Sequence, residues 1–449
     1  MSSFPNDSKM TKWLINQSIN HPKKIITISI VFTILMGFGI QFLIVEDDMT
    51  KMLPSEMDSK KTWEAVQNEF GSTEVIFIAF GNAGESSFNT KNLHDLSILT
   101  DTLKTSGVVH NITNISTATR IDQVDGFLEI SDLQPHRILK DHDIINMKSY
   151  LDENIDLKKQ LISKKDDYLV TVIQPRKNVS LDVFRNVIVD LTRPILNDYD
   201  VHYGGTAYIT GSVPGMIKKD ISMLLFIGLA LMSIVLLFNI RNLFAVGMIF
   251  SIIIQSLVVM SGMMGWITHF TGSENFYFTI INSSMPIILL TIANSDGVHI
   301  LSRFFREARK QNNVKNAVET TLNALFLPIF LTSFTTSVAF LAFVFSPIEQ
   351  FIGYGISLAF GIMWAWILST TLLPSIILIK KWNLESKFIK KESLLEKIAS
   401  LIGSSISKAP KKVLIGGFAT VFISIFGFKY IEIEVNTAKF FKPGNPIRE

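Results

Sequence analysis

The stretch MPIILLTIANSDGVHILSRFFREARK, which begins at Met285, runs from residues suited to lipid into residues suited to water, and a carboxylate, Asp296, stands at the changeover. An Asp at the centre of a membrane helix costs about 2.5–3.5 kcal/mol on insertion scales, and less toward an end, so it demands polar company. Helical spacing offers His299 and Arg303, three and seven residues on, along the same face. Asn294 and Ser295 lie in the preceding turn. The next apolar segment opens with LTSFTTSVAF, whose Thr332, Ser333, Thr335, Thr336 and Ser337 form a hydroxyl-rich patch. Such residues hydrogen-bond between membrane helices. Two chemistries fit this set. One is a proton site, because a carboxyl in a low-dielectric setting can exchange protons near neutral pH, and one proton crossing 100 mV releases about 2.3 kcal/mol. The other is structural, an Asp that caps its helix or pairs with Arg303 near the interface and reaches water. The residues by themselves leave both open.

The elements that must position these groups follow from composition. The 449 residues are 48% hydrophobic and 18% charged, with a net charge of +3, and the mean hydropathy is +0.34. That is too apolar for an ordinary soluble chain, and the small charge gives no reason to expect nucleic acid. A bilayer core needs about 20 apolar residues in a helix, and seven runs qualify, near 25–45, 220–240, 243–267, 278–302, 326–346, 350–379 and 412–431. Lys9, Lys12, Lys23 and Lys24 precede the first, Arg303, Arg306, Arg309, Lys310 and Lys315 follow the fourth, and lysines fill the stretch between the sixth and seventh. The loops at 268–277 and 346–349 hold no Lys or Arg. The positive-inside rule therefore places the N-terminus in the cytoplasm. The first run lacks a small-x-small cleavage site and reads as a permanent anchor rather than a signal peptide. The chain contains no cysteine, which excludes disulfides, thiolate catalysis and cysteine-ligated zinc.

The resulting organisation is a cytoplasmic N-terminus (1–24), span one (25–45), an outside domain (46–218), spans two to six (219–380), a cytoplasmic linker (381–411), span seven (412–431) and the start of a second outside domain (432–449). In the outside domain, TEVIFIAFG, TKNLHDLSILTDTLKTS and VVHNITNIST read as strand, helix, strand, and so do DYLVTVIQP, SLDVFRNVIVDLTRPILN and YDVHYGGTAY. Two such units assemble as an α/β sandwich of ferredoxin-like type, with a mostly helical insert at 131–165. His94, His110, His136, His142 and His202 share no ligand spacing, so no metal is expected. Walker, nucleophile-elbow and zinc motifs are likewise missing from the sequence, which argues against an enzyme. Gly204, Gly205, Gly211, Pro214 and Gly215 mark a joint or hinge before the second span.

The opening of the chain also recurs. Aligning Pro22 with Pro410 brings Lys23–Lys24 onto Lys411–Lys412, Phe38–Gly39 onto Phe426–Gly427 and Glu46 onto Glu434, and a one-residue gap then matches Pro54 to Pro443. Self-similarity of this kind signals an internal duplication. The expected unit is one span, an outside domain and five spans. Glu449 falls where a second outside domain should begin, so the chain reads as one part of a protein about twice as long.

One span, an outside α/β domain and five spans, followed by a second start, is similar to the resistance–nodulation–division (RND) superfamily. Within it the chain most resembles the MMPL, hopanoid-transporter and Patched-like exporters of sterol-sensing type. SDGVHILSRFFREAR resembles their fourth span, FLTSFTTSVAFLAF their fifth, and Leu373–Pro374 the end of their sixth. The resemblance covers essentially the whole chain and is strongest over 285–380. It implies an α-helical polytopic membrane protein with a periplasmic ferredoxin-like porter domain, located in the bacterial inner membrane. It also implies export of lipids or other hydrophobic molecules driven by protons as the coupling ion, without another cofactor. Asp296 would be the relay carboxyl, with His299 and Arg303 beside it and Asn294, Ser295, Thr332, Ser333, Thr335 and Thr336 as polar partners. Phe276, Phe278, Phe330, Phe334, Phe340, Phe343 and Phe345 would border a lipid route. Two departures stand out. Gly297 follows the acid where many relatives carry Tyr or a second Asp, and the matching span of a second half is not in this sequence. The partners implied are that second half or a second copy, and a periplasmic carrier protein. A lipid sensor that does not pump, or an accessory of protein secretion, is the alternative.

Overall fold

The structure is a computed structural model that describes residues 9–46, 54, 56–70, 73–124, 127–177, 179–384, 386 and 394–431. It divides into two compact units, one built mainly from Glu46–Ile217 and the other from the chain on either side of it. The repeat positions Glu434 and Pro443, and the segment 432–449, lie outside the described residues.

Helix α1 (Lys9–Asn20) is amphipathic and buries Ile15 and Ser18. It occupies half of the stretch 1–24 read as the cytoplasmic N-terminus. His21 interrupts it, and Pro22 then opens α2 (Pro22–Gly37), where a proline's missing N–H costs nothing. Thr27, Ser29 and Thr33 turn their hydroxyls back onto carbonyls of their own helix, so α2 crosses an apolar medium with these side chains satisfied. A short 3-10 turn, Phe38–Phe42, ends it.

In the polar unit, α3 (Asp58–Phe70) is followed by β1 (Ile76–Gly81), α4 (Thr90–Thr105) and β2 (Val109–Thr113). A hairpin, β3 (Thr119–Val124) with β4 (Phe127–Asp132), comes next, then α5 (Asp141–Glu153) and α6 (Ile155–Leu161). The unit closes with β5 (Tyr168–Pro175), α7 (Leu181–Ile195), β6 (Asp200–Gly204) and the single turn α8 (Thr206–Thr210). The sheet order is β2-β5-β1-β6 and every neighbouring pair is antiparallel. Alternate residues of the central strands, Ile76, Ile78 and Phe80 on β1 and Leu169, Thr171 and Ile173 on β5, point to one face. Leu93, Leu96, Leu99 and Leu103 of α4 and Phe184 and Ile188 of α7 pack there as the core. The mostly helical insert read at 131–165 holds α5 and α6, and the β3–β4 hairpin, which that reading did not include, precedes them. Every described side chain of β4 is exposed.

Seven helices among the described residues are long and apolar enough to cross a membrane. After α2 they are α9 (Val213–Ile240), α10 (Leu243–Thr271), α11 (Met285–Gln311), α12 (Val314–Leu341) and α13 (Glu349–Ile379). The seventh lies at the chain's end, where α14 (Leu394–Lys408) leads through Ala409 into α15 (Pro410–Gly427) and a 3-10 turn, Phe428–Tyr430. This repeats the α1–α2 pattern of helix, break, proline, span and tight turn. α11 extends well past the run read at 278–302, because Phe304, Phe305 and Ala308 keep one of its faces buried. α13 is the most buried span, whereas α15 buries no described side chain.

Backbone contact locks α2 to α10. A Cβ on Gly262 would collide with the Met36 carbonyl, and one on Gly265 with the Gly39 carbonyl. Close approach through small residues is how helices associate where lipid removes the hydrophobic drive. Trp266 Nε1 donates to the Leu35 carbonyl at 3.1 Å, and Thr33 Oγ1 stands 3.1 Å from Gln255 Oε1. α1 is held through Ser375 Oγ of α13, which donates to the Ser18 carbonyl at 3.2 Å.

Candidate functional site

α11 starts from a turn in which the Thr279 hydroxyl donates to Asn282 Oδ1 at 2.7 Å, with Pro286 in its first turn. Eleven residues after Met285, Asp296 is 4% exposed, and its Oδ2 accepts a hydrogen bond from Ser333 Oγ of α12 at 3.1 Å. Ser333 is itself 1% exposed. Beside the acid, Gly297 lies against α10, where a Cβ would sit 3.2 Å from a methylene of Ile249. The departure at Gly297 thus has a steric reason, since a Tyr or Asp there would displace that neighbour.

The hydroxyl patch on α12 splits in two. Ser333 and Ser337, one turn apart, face inward, and Ser337 Oγ donates to the Ala359 carbonyl of α13 at 3.2 Å. Thr332, Thr335 and Thr336 instead donate to carbonyls of their own helix, those of Pro328, Leu331 and Thr332. Among the described residues none of the three is hydrogen-bonded to Asp296, which corrects the expectation that Thr332, Thr335 and Thr336 join Ser333 as its polar partners. The cause is rotation, because residues one and two apart on a helix point to different faces. The same rotation separates Ser295, which is exposed, from Asp296. Asn294 Oδ1 is buried with no hydrogen-bond partner among the described residues.

Among the described residues no ion pair joins Asp296 to Arg303, and the Nε of Arg303 is buried without a partner. His299 is exposed. Thr291, Ser295 and His299 make an exposed row along α11 at four-residue spacing. The phenylalanines are divided too, with Phe276 and Phe278 buried and Phe334, Phe343 and Phe345 exposed. In the polar unit His94 meets the Arg137 carbonyl at 3.3 Å, and His202 meets Asp200 at 3.2 Å.

The chemistry open to this arrangement is set by its donors. An ionised carboxyl only accepts hydrogen bonds, whereas a protonated one also donates. The Ser333 hydroxyl can do either, so one partner serves both states. A paired Lys or Arg would fix the carboxylate form, and among the described residues none forms an ion pair with it.

The sequence model of the MMPL family matches residues 51–413. The chain belongs to the MMPL family. It is therefore an RND-type multi-pass membrane protein of a family that transports hydrophobic substrates, consistent with a chain that is not an enzyme. It is also similar to a protein of Methanocaldococcus jannaschii described simply as a membrane protein, with 22% identity over 381 residues covering 83% of this chain and 94% of that one.

Proposed function

We propose that this MMPL-family protein exports lipids or other hydrophobic molecules at the bacterial inner membrane, with its N-terminus in the cytoplasm, and that proton exchange at Asp296 drives the cycle. The observation that carries this reading is the buried Asp296–Ser333 bond between two spans, formed with no ion pair to Arg303. An acid so placed changes its hydrogen-bonding demand when it gains or loses a proton, and the helices that answer that demand are spans of the bundle. The strand order β2-β5-β1-β6 with two packed helices supports a ferredoxin-like porter on the outer side.

The exposed row of Thr291, Ser295 and His299 supports a protein partner across that face, either a second half or a second copy. Polar side chains on a span are found facing protein or water rather than lipid. In that arrangement His299 and Arg303 complete the relay from the partner-facing side.

The test is transport in vesicles. Asp296→Asn should abolish the proton-dependent part of hydrophobic-solute export while leaving yield and melting temperature near those of the wild type. Export by the wild type that is unchanged after the proton gradient is collapsed would overturn the reading.

A further inference from the structure

An apolar groove of about 650 Å³ opens at the end of the bundle where α10 begins and α13 ends. This volume is within the range of small-molecule sites, roughly 300–1,000 Å³. Leu243, Phe244, Gly247, Met248 and Ser251 line it from α10, and Ile376 lines it from α13. Leu243, Phe244 and Gly247 are exposed, so this first part of α10 is uncovered. Gly247 forms an indentation, since a Cβ there would touch nothing within 4 Å.

The rim of the groove is cationic and aromatic. Lys380 follows Ile376 by one turn, and its Nζ stands 3.5 Å from the centre of the Phe244 ring and 4.8 Å from that of Trp382. Trp382 is fixed in turn, with its Nε1 donating to the Ile377 carbonyl at 2.9 Å and its ring against Phe304 and Phe305. Phe244 is thus both a wall of the groove and the seat of the ammonium. Arg241 and Lys381 add charge beside it, and the sequence has no Asp or Glu from 221 to 273 or from 350 to 384. On these two helices the single carboxylate is Glu349, in the first turn of α13 and thirty-one residues from Lys380, so it does not neutralise the cations at this rim.

We infer that this groove holds one anionic phospholipid of the surrounding bilayer as a resident ligand, with an acyl chain along Gly247 and the phosphate at Lys380. Half-buried on its aromatic seat, the ammonium keeps N–H donors for a phosphate oxygen, and aromatic residues with Lys or Arg are the usual anchors at a membrane–water boundary. A headgroup with its own cation and no net charge gains less here, because its ammonium meets Lys380, Lys381 and Arg241. The ligand is not cargo, and its retention does not depend on the proton reading of Asp296.

Native mass spectrometry of the full chain, delipidated in mild detergent and re-exposed to phosphatidylglycerol or phosphatidylcholine, tests this. The wild type should retain one phosphatidylglycerol in preference to phosphatidylcholine. Lys380→Gln should lower that retention about five-fold, the worth of roughly one basic residue at a membrane surface, and Lys380→Arg should keep it. Gly247→Phe, projecting into open space, should abolish retention without lowering the melting temperature. If Gly247→Phe misfolds, Lys380→Gln decides alone, since that side chain lies at the rim. Equal retention of the two lipids by the wild type, or wild-type retention by Lys380→Gln, would refute the site.

Discussion

At the scale of single residues, the acid on α11 is defined by what touches it. Ser333 supplies its one hydrogen bond among the described residues, and Gly297 lets α10 come close. Replacing Gly297 with Leu forces Ile249 aside, and overpacking of this kind costs about 1–3 kcal/mol. Ile249→Ala in the same chain should recover part of that loss. A double-mutant cycle on melting temperatures checks it, and additive effects would show that the two side chains do not share the space. Asp296 itself could be picked out of the sequence, because a charge in an apolar run is conspicuous. Its true partner could not, since five hydroxyls stand within six residues on α12 and helical spacing does not say which of them turn back onto their own carbonyls.

Between elements, contact is made by backbone as much as by side chains. Gly262→Leu would drive α2 from α10 at a cost of more than about 3 kcal/mol, since the obstruction is a carbonyl and not a movable side chain. The chain has no cysteine, so Thr33→Cys with Gln255→Cys reports the contact. The pair should crosslink efficiently, and adding Gly262→Leu should abolish the crosslink. In the polar unit, Lys158 of α6 bridges Asp152 of α5 at 2.8 Å and Asp166 of the following turn at 3.2 Å. The hydrogen bond from Lys158 holds the Asp152 carboxyl below its ordinary 3.8. With the folded value depressed, the bridge contributes fully above 3.8 and its contribution is lost as pH falls through the depressed value. Lys158→Ala should return the Asp152 titration, followed by carboxyl NMR shifts, to the ordinary range. Apolar runs gave away the spans because a bilayer imposes their length, and alternation gave away the strands of the main sheet. The β3–β4 hairpin escaped notice because its apolar side chains, Ile121, Phe127, Leu128 and Ile130, are exposed among polar ones and define no buried face, although Asp125–Gly126 in the sequence is a strong turn signal. The glycine contacts join segments more than 200 residues apart, and no local pattern marks them.

On the scale of the whole molecule, the chain shows one pattern twice. α1 with α2 and α14 with α15 share the order of helix, break, proline, span and 3-10 turn, but only the first pair is packed. α2 is gripped by α10 and α13, whereas no described side chain of α15 is buried. This difference bears on biogenesis. A helix gripped by neighbours can be held at its depth by them, but α15 must partition from the translocon on its own composition. An arginine in place of Thr420 therefore adds its full penalty, about 2.5–3.5 kcal/mol at a helix centre. In a glycosylation-mapping assay that substitution should send a large fraction of nascent chains through the membrane instead of into it, turning the end of the protein to the wrong compartment.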